Sequence, residues 1–242
     1  MNLAWPSALL LLTAWAAQAD DADKLRALGG GVFTKGGAVA EINLNRSRIT
    51  DDQLKLVASF ANLTDLSLEQ TKIGDAGLAN LTGLAKLEWL NLYRTQVGDV
   101  GLAHLAKLPR LQHLPIGETR VTDAGMEHIA KMKRLVYLGL RGNKISDAAL
   151  AHLAKLPRLE TLAVMYQEGF GGTKVTAAGL KHLESHKTLR DLDLTGTRIT
   201  DADLPRFSAL TQLKRLTISG TAITTAGAAK LARQLPDCKV VR

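Results

Sequence analysis

Aliphatic residues recur along this chain with a fixed spacing of 24 residues. The pattern L-x-x-L-x-[LI]-x-x-[TN]-x-[IV]-x-D-x-x-[LM] opens four successive segments; a divergent copy precedes them and three copies follow, the first lengthened to 30 residues. The segments begin at Val39, Leu63, Leu87, Leu111, Leu135, Leu159, Leu189 and Leu213. Self-similarity at such a period is typical of repeat proteins, so the sequence predicts eight units between residues 39 and 236.

Each unit contains two hydrophobic periods. Its opening L-x-L, as in Leu138 and Leu140, alternates with a period of two, which predicts a strand with one buried face. A helix N-cap follows, at Thr50, Gly74, Gly98, Thr122, Ser146, Thr176, Thr200 and Thr224. An Asp then stands in most first turns, where its charge favours the start of the helix. Leucines at three-residue spacing, such as Leu150 and Leu153, give the helix an inner stripe.

A unit with one strand and one short helix cannot bury its own apolar face, so the units must stack. The sequence therefore predicts an α/β solenoid: a right-handed β–α superhelix with a parallel sheet on the concave side and short helices on the convex side. A column of short polar residues at the turn leaving each strand is predicted to hydrogen-bond the backbone of its neighbour. The column contains Thr71, Thr95, Thr119, Asn143, Thr173, Thr197 and Thr221.

These motifs resemble the leucine-rich-repeat family, specifically its bacterial extracellular 24-residue type with I-T-D-x-G-L, and similar helical phrases occur in F-box-associated repeats. The resemblance covers residues 39–236 and implies a module that binds protein or glycan and rarely catalyses a reaction. Some units depart from the pattern. Ala149 and Asp203 replace the helix glycine, Ala177 and Thr225 replace the Asp, and residues 167–172 form an insertion without a counterpart.

The two ends of the chain differ from the repeats. Residues 1–19 contain an apolar run, then Ala17-Gln18-Ala19 before acid, which is typical of a cleaved signal peptide, although no Lys or Arg precedes the run. An uncleaved membrane anchor is the alternative, but about fifteen apolar residues fall short of the roughly twenty that span a bilayer. We expect export to a periplasmic or extracellular location after cleavage near Ala19. Residues 20–38 and 237–242 are predicted to cap the solenoid.

The charge of the chain limits its possible partners, and its cysteine content limits its possible disulfides. The net charge of +8 lies wholly outside the predicted leader, which suits an anionic surface contact, whereas nucleic acid does not suit an exported protein. A basic stripe is predicted just beyond three successive helices, formed by Lys107, Arg110, Lys131, Arg134, Lys155 and Arg158. Its alternative explanation is a solvated edge whose cations stabilise helix C-termini. The single cysteine, Cys238, allows no intramolecular disulfide.

Sequence motifs for catalysis are absent. The chain has no G-x-S-x-G, H-E-x-x-H or phosphate-loop sequence. Histidines share one helix position at His104, His128, His152 and His182. Neighbouring helices lie about 8–10 Å apart whereas zinc–nitrogen bonds are near 2 Å, so one ion cannot be bridged by the whole column. We therefore expect no enzyme, no metal site and no cofactor.

Large side chains are predicted to gather on the concave face, because strand residues between the core leucines point away from the core. The predicted ligand-binding residues are Trp89, Tyr93, His113, Tyr137, Arg141, Tyr166 and Phe170, the last on the insertion. Exposed Trp, Tyr and Arg dominate binding hot spots, and aromatic rings also stack on sugars. The alternative is that these side chains merely shield the sheet. Pro115 lies among them and should cost its strand a ladder hydrogen bond.

The sequence thus predicts an exported, monomeric binding module that recognises a protein or glycan on its concave face. The alternative function, from a different class, is a structural envelope or assembly component that uses the basic stripe or the ends of the solenoid.

Overall fold

A computed structural model of the chain describes residues 5–166 and 172–242, with side chains from residue 16 onward. The first four residues of the predicted leader lie outside the described residues. So do residues 167–171, which include Phe170 and most of the insertion.

Ten strands in the described part of the chain form one sheet, and their order in the sheet is their order in the sequence. They are β1 (Gly31–Lys35), β2 (Ala38–Asn43), β3 (Asp65–Ser67), β4 (Trp89–Asn91), β5 (His113–Pro115), β6 (Tyr137–Gly139), β7 (Thr161–Ala163), β8 (Asp191–Asp193), β9 (Arg215–Thr217) and β10 (Lys239–Val241). Neighbours from β2 to β10 are parallel. Only the β1–β2 hairpin is antiparallel among these pairs. The predicted α/β solenoid with a parallel sheet is confirmed.

Short helices return the chain from the end of one strand to the start of the next. The α-helices are α1 (Trp5–Ala27), α2 (Asp75–Leu78), α3 (Asp99–Leu105), α4 (Met126–Ile129), α5 (Asp147–Leu153) and α6 (Thr225–Gln234). The 3₁₀ helices span Gln53–Ser59, Ala79–Leu81, Asp123–Gly125, Ala177–His182 and Asp201–Phe207.

Helix α1 continues through the predicted cleavage position and packs on the first unit. Ala22 and Leu25 are buried against the core, and Gln18 donates a hydrogen bond from Nε2 to the Ser59 carbonyl at 2.7 Å. Within the described residues, no helix combines the length and apolar character needed to cross a bilayer.

One continuous core runs along the solenoid between the sheet and the helices. The central leucines of neighbouring strands pair in register along much of the sheet, as Leu114, Leu138 and Leu162 do, and all three are fully buried. The helix leucines Leu150 and Leu153 meet this column from the other side and are also fully buried. Burying such a side chain contributes roughly 1.5–3 kcal/mol, so the repeat itself supplies the stability that a chain without disulfides requires.

The helix aspartates connect neighbouring units, a role beyond the predicted one within their own helices. Asp99 accepts hydrogen bonds from the Thr122 amide at 2.8 Å and from its hydroxyl at 2.6 Å, one unit further on. The same bond to the next cap amide is made by Asp51, Asp75, Asp123, Asp147 and Asp201. Hydrogen bonds from Thr224 lower the pKa of Asp201. Each carboxylate therefore satisfies an amide that the short helix leaves unpaired.

The helix glycine makes room for this carboxylate. A methyl group at Gly101 would overlap the carboxylate of Asp75 in the preceding unit. Where Ala177 replaces the Asp, the next cap residue, Thr200, loses that partner, and Asp203 of its own unit accepts the Thr200 amide at 2.9 Å instead. Asp203 occupies the glycine position, so the two departures from the repeat compensate each other. Ala149 also replaces the helix glycine, but no such exchange of partners occurs there. Asp123 keeps its hydrogen bonds to Ser146 beside Ala149.

The column of short polar residues closes turns within units more often than it crosses between them. Thr71 donates its hydroxyl hydrogen bond to Leu68, three residues earlier in its own unit, at 2.7 Å, and Thr95 does the same to Leu92. Asn143 instead reaches the preceding unit, where its Nδ2 donates to the Ile116 carbonyl at 3.0 Å, and the Thr173 hydroxyl makes a longer bond to the Ile145 carbonyl at 3.4 Å. Asn143 and Thr173 thus make the predicted contact with a neighbouring unit.

Candidate functional site

The first position of each strand forms a straight row across the concave face. In-register pairing places Trp89 beside His113 and His113 beside Tyr137, on strands β4, β5 and β6. Strand spacing of about 4.8 Å makes the three side chains a nearly continuous aromatic row. We call these three residues the aromatic row.

The aromatic row is half-buried, so its side chains are fixed by neighbours while part of their surface stays open to solvent. The His113 and Tyr137 rings are stacked, with centroids 6.5 Å apart and planes 24° apart. The Tyr137 hydroxyl folds over Gly139, two residues along the same strand, where a side chain would crowd it. Burial, with a smaller effect from Asp193 and Asp191, raises the pKa of Tyr137, so this phenol stays neutral at neutral pH.

Acidic and basic groups continue the same row on both sides. Asp65 pairs with Trp89 in register, and beyond Thr161 come Asp191 and then Arg215. Burial raises the pKa of Asp191, with Asp193 adding to the effect and Arg215 opposing it. The surface is therefore aromatic in the centre with charges at its borders, which is the arrangement of many protein interfaces.

A second cluster lies where the strands end, built around the carboxylate of Glu118. This side chain is fully buried and accepts hydrogen bonds from the Tyr93 hydroxyl and from Arg94 Nε, the latter at 2.5 Å. Arg141 Nε lies 3.6 Å from the same carboxylate. Burial, followed by the bond to Glu118, raises the pKa of Tyr93. We call Tyr93, Arg94, Glu118 and Arg141 the Glu118 cluster.

Backbone geometry and a missing side chain bring this cluster together. Glu118 has a φ of 53° and Arg94 a φ of 57°, in the left-handed region that favours glycine. The corresponding residue in the next unit is Gly142, also with positive φ. A side chain at Gly117 would meet both the Tyr93 ring and the Arg141 backbone, so glycine allows them to approach each other.

Hydrogen bonds extend the cluster back to the first unit. Asn91 donates from Nδ2 to Glu69 at 3.1 Å and accepts from the Tyr93 amide at 2.9 Å. The Glu69 amide in turn donates to Asn45 at 2.9 Å. This network links the rim of the concave face to the first unit through hydrogen bonds beside the aromatic row.

The structure brings five of the seven predicted site residues together. Trp89, His113 and Tyr137 form the aromatic row, and Tyr93 and Arg141 belong to the Glu118 cluster. Tyr166 is 37% exposed and lies at the turn after β7, with its ring against Gly172 and Gly196 rather than in the row. Phe170 lies outside the described residues.

Pro115 affects the ladder in the middle of the site. Strands β4 and β5 share one register pair, Trp89 with His113, whereas β5 and β6 share three. The Leu92 amide still donates to the Pro115 carbonyl at 2.9 Å, so the two strands stay together. The proline thus removes its own donor without separating the aromatic side chains.

Sequence reasoning missed Glu118 and Arg94. Their signal is visible when the units are aligned at 24 residues, because this turn position reads Arg46, Gln70, Arg94 and Glu118 in the first four units. In that column the basic Arg94 of one unit is followed by the acidic Glu118 of the next unit, which indicates an ion pair between neighbouring units. Within residues 16–166 and 172–242, no group of three or more metal-ligating side chains is arranged to hold a metal ion.

Comparison with known proteins identifies the repeat. The family model described as Leucine Rich repeat matches residues 61–81 and 185–204, which lie in two separate parts of the array. These two segments are therefore leucine-rich repeats, and the chain has the fold of a leucine-rich-repeat solenoid. No curated protein matches its sequence.

Solved structures agree with this leucine-rich-repeat fold. An internalin from Listeria monocytogenes matches with a TM-score of 0.57 and 23% identity, over 82% of this chain and 52% of that one. A leucine-rich-repeat protein of Leptospira interrogans matches with a TM-score of 0.53 and 18% identity, over 78% of this chain and 57% of that one. The chain therefore spans little more than half the length of the two structures.

Proposed function

We propose that this leucine-rich-repeat protein is a non-enzymatic binding module whose concave face, at the aromatic row and the Glu118 cluster, recognises a protein ligand. The observation that carries the proposal is the in-register row of Trp89, His113 and Tyr137, which is half-buried and held beside a rigid polar rim. Anchors of this kind, partly exposed and preorganised, supply most of the energy of protein interfaces. Repeat proteins also use extended concave surfaces for binding.

A glycan is the second ligand class that this surface could hold, because the same rings would stack on sugar faces and Asp65 and Asp191 would accept hydroxyl hydrogen bonds. The arginines favour protein. Arg94 and Arg141 are about 40% exposed at the rim, where Glu118 orients them, and arginine is enriched among the residues that dominate protein interfaces.

The test is capture of extracellular proteins and glycans by the immobilised chain, quantified species by species. In the double variant Trp89→Ala/Tyr137→Ala, we expect at least one captured species to fall by about tenfold or more, since truncated hot-spot residues each cost over about 1 kcal/mol. The control, Phe33→Ala/Val100→Ala, removes two large exposed apolar side chains outside the aromatic row. Circular dichroism should show unchanged folding in both.

Two results decide between the alternatives. Equal capture by the wild type and the Trp89→Ala/Tyr137→Ala variant contradicts a concave binding site. A species that the control variant loses and the concave variant retains supports instead an assembly role for surfaces outside the aromatic row.

We also propose that the protein is exported with removal of residues 1–19, because Ala17-Gln18-Ala19 provides small residues before an acidic start. N-terminal sequencing of the exported chain should then begin at Asp20. A sequence beginning at Met1 contradicts the cleavage.

A further inference from the structure

A shallow depression lies between the helix-to-strand turns of the sixth and seventh repeat units, away from the aromatic row. Residues 184–190 form one wall and residues 209–214 the other. Its lining includes Glu184, His186, Lys187, Arg190, Gln212 and Lys214. Three cations and one carboxylate thus surround it.

His186 stands in the depression where the other units bury an apolar side chain. The equivalent residues are Phe60, Leu84, Leu108, Met132, Leu156 and Leu210, all at most 5% exposed. The imidazole is itself only 4% exposed, and its Nε2 has no hydrogen-bond partner among the described residues. An apolar residue would fill this place at lower cost, because an unpaired buried polar atom is unfavourable.

Gln212 provides a second buried polar atom without a partner. Its Nε2, which can only donate, has no acceptor in the described part of the chain. Two unpaired polar atoms on one depression indicate a missing partner there, and a side-chain amide requires that partner to be an acceptor.

The cations around the depression are positioned for an anion. Arg190 donates from one guanidinium nitrogen to the carbonyls of Lys187 and Gln212, at 3.0 and 3.1 Å, and so ties the two walls together. Among the described residues, Lys214 has one distant, exposed ion-pair partner, with its Nζ 3.9 Å from Asp237. Exposed pairs of this kind are weak, which leaves the ammonium group available to a ligand.

We propose that this depression is an oxyanion site that takes a carboxylate or phosphate group. Gln212 Nε2 donates to the anion, Lys187 and Lys214 supply charge-assisted hydrogen bonds, and Arg190 adds positive charge while holding the walls. When its proton is on Nε2, His186 also donates. The site is separate from the proposed protein-binding face, and it gives the basic side of the solenoid one defined anchoring point.

Titration of the full chain with inorganic phosphate and, separately, with acetate tests the site, with sodium chloride holding the ionic strength constant. We expect saturable shifts of the Gln212 side-chain amide in the ¹H–¹⁵N spectrum with at least one of the two anions. A shift with only one of the two anions would show whether the site takes a phosphate or a carboxylate group. An amide signal that neither anion moves overturns the proposal, since water alone would then fill the depression.

Charge-matched variants separate a built site from general attraction. Lys187→Ala/Lys214→Ala should weaken binding by about tenfold or more, because two charge-assisted hydrogen bonds are lost. Lys131→Ala/Lys155→Ala removes the same charge from the basic stripe and should leave the affinity nearly unchanged. Equal weakening by both pairs overturns the proposal in favour of diffuse electrostatics. Gln212→Leu, which keeps the side-chain volume, should weaken binding without changing the net charge.

Discussion

Replacing Leu138 with alanine should lower the free energy of unfolding by about 2–5 kcal/mol, the range seen when a buried leucine is truncated and leaves a cavity. Leu138 is fully buried at the centre of β6 and is paired in register with Leu114 on one side and Leu162 on the other. A central unit has two such interfaces, so the cavity weakens both of them. Denaturant titration followed by circular dichroism measures the change.

The matched control is Val240→Ala in the terminal strand β10, where the side chain is only partly buried and has a neighbouring strand on one side. Its loss should be clearly smaller. A loss below about 1 kcal/mol for Leu138→Ala would mean that the cavity closes by relaxation and that the register of the core does not control stability.

The repeat made the fold predictable because every unit has an apolar face that it cannot bury alone. A strand with Leu138 and Leu140 on one face, followed by a helix with Leu150 and Leu153, can bury all four only by stacking on a copy of itself. Eight copies remove the ambiguity that one such segment would carry. Strand β1 belongs to no unit, yet Gly36 and Gly37 between β1 and β2, both with positive φ, are a recognisable hairpin turn.

The aromatic row was predictable for a related reason, since strand alternation sends Trp89, His113 and Tyr137 to the face opposite the core. Glu118 was not predictable in this way, because it lies in the turn after the strand, where side chains no longer alternate between two faces. Its burial depends on Tyr93 and Arg94 in the preceding unit and Arg141 in the next. Contacts of this kind appear only when equivalent positions of neighbouring units are compared.

The compensation between Ala177 and Asp203 likewise could not be predicted from single units. Each looks like a loss of the repeat pattern when its own unit is read alone. Together they replace an inter-unit hydrogen bond with one inside the unit, so that the Thr200 amide keeps a carboxylate partner. A departure from the repeat pattern in one unit is therefore explained by the contacts of that unit with its neighbours.

Glu118→Ala should cost about 2–3 kcal/mol, because the buried carboxylate accepts hydrogen bonds from a phenol and a guanidinium, and bonds to charged groups contribute roughly 1.5–3 kcal/mol. The loss stays below that of a fully buried ion pair, since Arg94 and Arg141 are about 40% exposed and water screens their charges. Denaturant titration at neutral pH gives the stability. The pKa of Tyr93 should fall, because the variant keeps the burial that raises it but loses the hydrogen bond and charge of Glu118 that raise it further.

Glu118→Gly separates the lost hydrogen bonds from backbone strain. Both variants lose the carboxylate, but glycine adopts the φ of 53° freely, as Gly142 does one unit later, whereas alanine keeps the strain of about 1 kcal/mol. We therefore expect stability to decrease in the order wild type, Glu118→Gly, Glu118→Ala. The control Gln70→Ala has the same backbone conformation but bonds an exposed Arg46, so its loss should be small. An unchanged Tyr93 titration in both Glu118 variants would show that the carboxylate does not hold the rim of the concave face.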